Sequence, residues 1–251
     1  MIYWISVLQH IDVLFYYLRK KGKVYSDRCV KYTTTDNQFD QRIQALYKKF
    51  LSKNKDYSLI SVDHSVAEYI LGYYMPSNTS WYLVDEVLFP IHIAKEKHWI
   101  LGRLSFKERC IYIYNSLRCA KSHKLMMEVL ASYSVLLPVI FELLDVWVEC
   151  KDIDMNSEFY ASKKLLNPFE VDSVDDLLSQ GNKWVFFLYF GFILLFFHYS
   201  DMFLIYFSDC GVFVVAFTEY LLHGLEIPSD MNIYQMRSRY AVSLYAYGMI
   251  K

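Results

Sequence analysis

The stretch HWILGRLSFKERCIYIYN, residues 98–115, decides the fold. Two strand-like runs, His98–Leu104 and Cys110–Asn115, flank Ser105-Phe106-Lys107-Glu108, a four-residue connection suited to an antiparallel hairpin. If Leu104 faces Arg109, counting outward places His98 directly opposite Asn115. Facing residues have Cβ atoms about 4.5 to 5.5 Å apart, close enough for an imidazole Nδ1–H to bond a side-chain amide oxygen. The pattern predicts a histidine held in one orientation.

Further along, Ser208-Asp209-Cys210-Gly211 precedes an apolar segment, Val212–His223, that Gly224 and then Pro228 bring to a stop. Cys210 is thus expected at a helix N-terminus. A free thiol is only a few per cent ionised at neutral pH, and a helix N-terminus beside an imidazolium raises that fraction. Cys210 as nucleophile with His98 as base is one reading. A small buried residue before an apolar helix, with an ordinary core histidine, is the other.

The chain has 251 residues, enough for a core without disulfide or metal staples. Hydrophobic residues make up 55% and aromatics 18%, which excludes a disordered chain. Lys and Arg number 26 against 27 Asp and Glu, so no positive field awaits a phosphate backbone and nucleic acid is not an expected partner. The five cysteines (Cys29, Cys110, Cys119, Cys150, Cys210) contain no C-x-x-C pair. They fit a reducing compartment rather than a disulfide framework or zinc site, and neither metal nor cofactor is expected. The Asn78-Thr79-Ser80 sequon is then idle. Glycine-rich nucleotide loops, H-E-x-x-H and G-x-S-x-G are all absent from the sequence.

The first seventeen residues are apolar, but Asp12 interrupts them and Arg19-Lys20-Lys21-Gly22-Lys23 follows instead of preceding. This predicts an amphipathic helix with a solvated basic end capped by Gly22; the same cluster also reads as a nuclear address. Ile43, Leu46, Tyr47 and Phe50 make a helical stripe over 40–51, and a second helix is expected at 63–72. Residues 73–80 read as a loop, and Trp81–Ile93 as strand material bounded by Pro90. A helix from Lys124 to Leu137 is expected to stop before Pro138, residues 138–150 are ambiguous, and 151–180 are loop-like.

FPIHIAKEKHWILGRLSFKERCIYIYNSL, residues 89–117, resembles the His-Trp hairpin of the ubiquitin-like-protein-specific (SUMO) cysteine proteases. SDCGVFVVAFTEYLLHG, residues 208–224, resembles the nucleophile helix of the same family. IDVLFYYLRKKGK, VAEYILGYY and GLEIPSDMN are similar to segments of its plant members. The resemblance implies an α+β, papain-like fold with a mixed central sheet flanked by helices. It implies Cys210 as nucleophile, His98 as general base and Asn115 as third residue, with Trp99 clamping the substrate's Gly-Gly tail. The protease domain would then run over 57–251, behind an N-terminal helical extension at 1–56.

Two features depart from the family pattern. Its third residue is usually Asp; Asn115 still orients the histidine but stabilises the imidazolium less than a carboxylate would. Its oxyanion-hole glutamine stands a few residues before the nucleophile, whereas the nearest upstream glutamine here, Gln180, is thirty positions away. A hydrophobic insert, 181–208, fills the gap, and its composition and ends read as a translated intron. Within it, Trp184–Phe197 spans roughly 21 Å as a helix against a hydrocarbon core of about 30 Å. Extending to Phe207 adds His198 and Asp201, so a membrane span through 184–207 is the lesser reading.

The expected function is a cysteine peptidase or isopeptidase cleaving after the C-terminal Gly-Gly of a ubiquitin-like modifier. Its partners would be the modifier and its conjugates, in nucleus or cytoplasm. Activity impaired by the two departures is part of that expectation, and an inactive, protease-shaped binding module or a mis-spliced product is the competing one.

Overall fold

The computed structural model describes residues 2–24, 30–117, 120–175, 177–178 and 209–250. Five strands form one sheet in chain order: β1 (Tyr32–Thr34), β2 (Glu86–Ile93), β3 (His98–Ser105), β4 (Cys110–Tyr114) and β5 (Glu170–Ser173). The outer pairs, β1 with β2 and β4 with β5, are parallel; β2, β3 and β4 run antiparallel. The described helices are α1 (Ile2–Val24), α2 (Asn37–Ser52), α3 (Ser65–Ile70), α4 (Ala120–Leu143), α5 (Val146–Glu149), α6 (Asp209–Leu222) and α7 (Ile233–Ile250).

Alternation along the strands gives the sheet two apolar faces. Val87, Phe89, Ile91, Ile100, Leu104, Ile111 and Ile113 point to one side, where they meet Phe39, Ile43 and Phe50 of α2 and Leu130, Tyr133 and Phe141 of α4. Leu88, Trp99, Leu101 and Tyr114 point to the other, where Leu14 and Phe15 of α1, Val212–Phe217 of α6 and Tyr240 of α7 cover them. A sheet covered on both faces in this way is the α+β architecture expected of a papain-like domain.

Both prolines expected to end an element lie inside one. Pro90 is within β2, opposite Leu101. Its neighbour Leu88 turns its carbonyl toward the β1 side, accepting from Thr35 N–H at 2.9 Å, and two residues on the His92 N–H reaches Asp40 on that same side. Pro90 therefore lacks an N–H only where β1 has already ended, a position a proline tolerates. Pro138 lies within α4. The carbonyl it cannot reach, that of Ser134, accepts instead from Phe169 N–H at 3.0 Å, while Ser134 Oγ donates to Phe169 O at 2.8 Å. The helical interruption thus becomes the dock for the segment leading into β5. The same helix contains the one stretch among the described residues, His123–Leu143, long and apolar enough to cross a membrane; its Leu130, Tyr133, Leu137 and Phe141 are core residues.

The basic end of α1 also differs from expectation. Arg19 is buried, donating through Nη1 to Thr34 O, Thr34 Oγ1 and Thr35 O. Gly22 is not a cap: the helix continues to Val24, and a Cβ at 22 would stand 2.8 Å from the Tyr32 ring. Gly224, by contrast, ends α6 as expected, with φ +65 just past Leu222. Asn78 of the sequon is structural, its Oδ1 accepting from Thr33 and its Nδ2 donating to the Tyr69 carbonyl.

Candidate active site

Lys97, at φ 51, turns the chain out of β2 in a left-handed conformation, and His98 is the first residue of β3 after it. The β3–β4 register is offset from the sequence count: Leu104 faces Ile111 and Ser105 faces Cys110. Arg109 has left the strand for the turn. It adopts φ 50, and its buried guanidinium donates to the carbonyls of Lys164, Leu165, Asn167 and Pro168. The offset is two residues, which preserves the face each side chain points to, so His98 and Asn115 become diagonal neighbours instead of direct ones.

They still meet. His98 Nε2 lies 2.8 Å from Asn115 Oδ1, where the sequence count had Nδ1 making this bond. Asn115 Oδ1 also accepts the Leu117 N–H at 2.9 Å, and Nδ2 points to the Met126 sulfur at 3.8 Å. The backbone donor fixes which end of the amide faces the ring. An oxygen can only accept, so Nε2 must carry the proton and the neutral ring holds its lone pair on Nδ1. His98 is 1% exposed.

Cys210 is the second residue of α6, 4% exposed, and α6 packs against β3. It sits in the same apolar cluster as Trp99 and Leu101 of that strand. Trp99 is 1% exposed and lies nearly parallel to the His92 ring, centroids 4.6 Å apart, across the β2–β3 pair. Gln180 and the 181–208 run, including 184–207, lie outside the described residues, as do Cys29 and Cys119. Among the described residues Cys110, Cys150 and Cys210 are free thiols. Burial pushes Cys110 up to about 11 and Cys150 to about 12, which keeps both protonated and unreactive at neutral pH.

The sequence did not reveal the buried network that holds the neighbouring strand at His92. His92 is driven down to about 4 by burial and then by the charge of His98, so it remains a neutral neighbour when His98 protonates. The backbone N–H of His92 donates to Asp40 Oδ2 at 3.1 Å, and Tyr133 and Gln44 donate to Asp40 Oδ1 at 2.7 Å each. Asp40, fully buried, ties α2, α4 and β2 together beside the site. These partners are separated by 52 and 93 residues in sequence, with no local signal joining them.

A histidine oriented by an amide on a hairpin, and a cysteine in the first turn of an apolar helix packed on the same strand, stand on a mixed sheet flanked by helices, which fits the papain-like cysteine protease fold. The model of the Ulp1 protease family, C-terminal catalytic domain, matches residues 10–182, and the chain belongs to that family of cysteine proteases. The match ends at the start of the hydrophobic run at 181–208. No curated protein matches the chain. Distant structural likenesses include a SUMO protease Ulp1 with its catalytic cysteine oxidised to a sulfonic acid, at 15% identity and TM-score 0.49, covering 97% of this chain and 78% of that one. Others are the Ulp1 protease domain in complex with Smt3, the yeast ortholog of SUMO (15%, TM-score 0.44, covering 93% and 73%), and the Chaetomium thermophilum Ulp1-like catalytic domain (15%, 0.43, covering 94% and 69%).

Proposed function

We propose that this chain cleaves after the C-terminal Gly-Gly of a ubiquitin-like modifier of the SUMO class, acting on precursors or on conjugates. Cys210 Sγ attacks the terminal glycine carbonyl while His98 Nδ1 takes the thiol proton. That proton passes to the departing amine as the carbon–nitrogen bond breaks, leaving a thioester. Water, giving its proton to His98, then releases the modifier's carboxylate and restores the thiol. Asn115 holds the ring in the tautomer this sequence needs, and Trp99 borders the Gly-Gly channel. With 181–208 removed, the developing oxyanion would be met by the Cys210 N–H and the Gln180 side chain.

The observation that carries this reading is the 2.8 Å His98–Asn115 hydrogen bond, with its amide orientation set by Leu117 N–H, on the strand that α6 covers. The choice of modifier class rests on family membership and on the hairpin sequence at 89–117. Hydrolysis of a modifier carrying a fluorophore on its terminal glycine tests it. Turnover is expected to be weak in the parent chain and higher once 181–208 is deleted, and should be lost from either form by Cys210→Ala and by His98→Ala. A chain that binds the modifier with no turnover in any form would be a protease-shaped binding module.

A further inference from the structure

Arg237 on α7 donates through Nη2 to Asp209 Oδ1, the residue immediately before Cys210. The Arg237 side chain is 15% exposed and that of Asp209 43%, so the cation is held within the protein while the carboxylate also meets water. A second contact closes the far end of the same helix: Arg239 Nη2 donates to Glu219 Oε2, and Tyr240 O–H donates to the same oxygen at 3.0 Å. The terminal helix therefore clasps α6 at two points, and only one of them is beside the thiol.

We propose that Arg237 is a positioning residue for the nucleophile, neutralising Asp209 so that a carboxylate can stand next to Cys210 without disfavouring its thiolate. The inference rests on the reading of Cys210 as nucleophile. Asp209 suits the first turn of α6, where a negative charge complements the helix N-terminus and helps the helix start. The same charge, left bare, repels a thiolate one residue away and cancels the help that this N-terminus gives it. Pairing with Arg237 keeps the first role and removes the second. Charged groups on the described elements packed on α6 include Arg237 and Arg239 of α7, Lys21 of α1 at 3.8 Å from Glu219, and, on β3, His98, the proposed base, and Arg103, which is paired with Glu86. Of these, Arg237 is the cation that engages the first turn.

The test follows the ultraviolet absorbance of the thiolate against pH in the full chain, as the difference from its Cys210→Ser form. This reads the thiol directly and requires no turnover. Arg237→Gln should move the midpoint of thiolate formation up by about half a unit to one unit, a three- to tenfold loss of thiolate at neutral pH. Arg237→Lys should restore most of it. Arg239→Gln, which loosens the same helix at Glu219, should leave it in place. Asp209→Asn combined with Arg237→Gln should return the midpoint to the parent value, and Asp209→Asn alone should lower it. That last variant keeps the idea open to refutation if Arg237→Gln does not fold. An unchanged midpoint in Arg237→Gln or in Asp209→Asn, or a shift that persists in the double variant, would overturn the proposal. Failure of Cys210 to react with a modifier electrophile while these shifts hold would instead overturn its role as nucleophile.

Discussion

Asn115 Oδ1 serves two donors, His98 Nε2–H and the Leu117 N–H, and a carboxylate could serve both equally well. Asn115→Asp should therefore preserve or raise the hydrolysis rate, because a negative group both orients the imidazole and stabilises its charged form. A lower rate in a folded Asn115→Asp chain would contradict the assigned role. The pairing itself was legible in the sequence, since strand periodicity survives a two-residue register offset; the offset was not, because it depends on Arg109. Nothing near position 109 announces four carbonyl partners at 164–168, and only the tertiary structure reveals why that residue belongs to the turn. Asp12 gives a second prediction at this scale. Burial raises it to about 7 in the folded chain, against an ordinary value of 3.8, while its Oδ1 accepts Asn37 N–H. Folding thus favours the protonated form, and this carboxyl's contribution is fully present below about pH 4 and lost as pH rises to about 7. Asp40, raised to about 6, acts in the same direction; His92, lowered to about 4, opposes them, losing stability as pH falls below its ordinary 6.5. Asp12→Asn isolates the first effect. In urea unfolding, the variant should be more stable than the parent by about 1 to 2 kcal/mol near pH 8 and equal to it near pH 4. A difference independent of pH would contradict the raised value.

At the scale of elements, the β2–β3 pair depends on a close approach. Phe89 faces Gly102 across the ladder, and a Cβ at 102 would lie 2.2 Å from the Phe89 ring, which itself stacks on Tyr133 at 4.8 Å. Gly102→Ala should cost about 1 to 3 kcal/mol by overpacking, seen as a lower urea midpoint with an unchanged slope. An unchanged midpoint would mean the ring has room to move. Such packing explains which elements could be read in advance. The stripe at Ile43, Leu46 and Phe50 gave α2, and the apolar run before Gly224 gave α6, because periodicity and caps are local. Pro90 and Pro138 were misleading stops. Whether a missing N–H matters depends on what lies opposite it, and here one faces the end of β1 while the other frees a carbonyl for Phe169. The short β5 carried too few residues to show alternation, and it exists because the Ser134–Phe169 contacts deliver it to β4.

For the whole molecule, the proposed function makes residues 181–208 the test of competence, because in sequence they separate Gln180 from Cys210. Loss of one oxyanion donor typically costs about a hundred- to a thousandfold in rate. Deleting 181–208 should therefore raise both soluble yield and hydrolysis of the fluorogenic modifier; equal turnover by soluble, monomeric full-length chain would show that the segment belongs to the enzyme. The most direct test of the central claim is covalent capture. The chain, with and without 181–208, is incubated with a SUMO-class modifier whose C-terminal glycine bears a thiol-reactive electrophile, and the adduct is mapped by mass spectrometry. The account predicts a one-to-one adduct on Cys210, absent in Cys210→Ala and strongly slowed in His98→Ala. An adduct on Cys110 or Cys150, or capture on Cys210 at the same rate without His98, would contradict it.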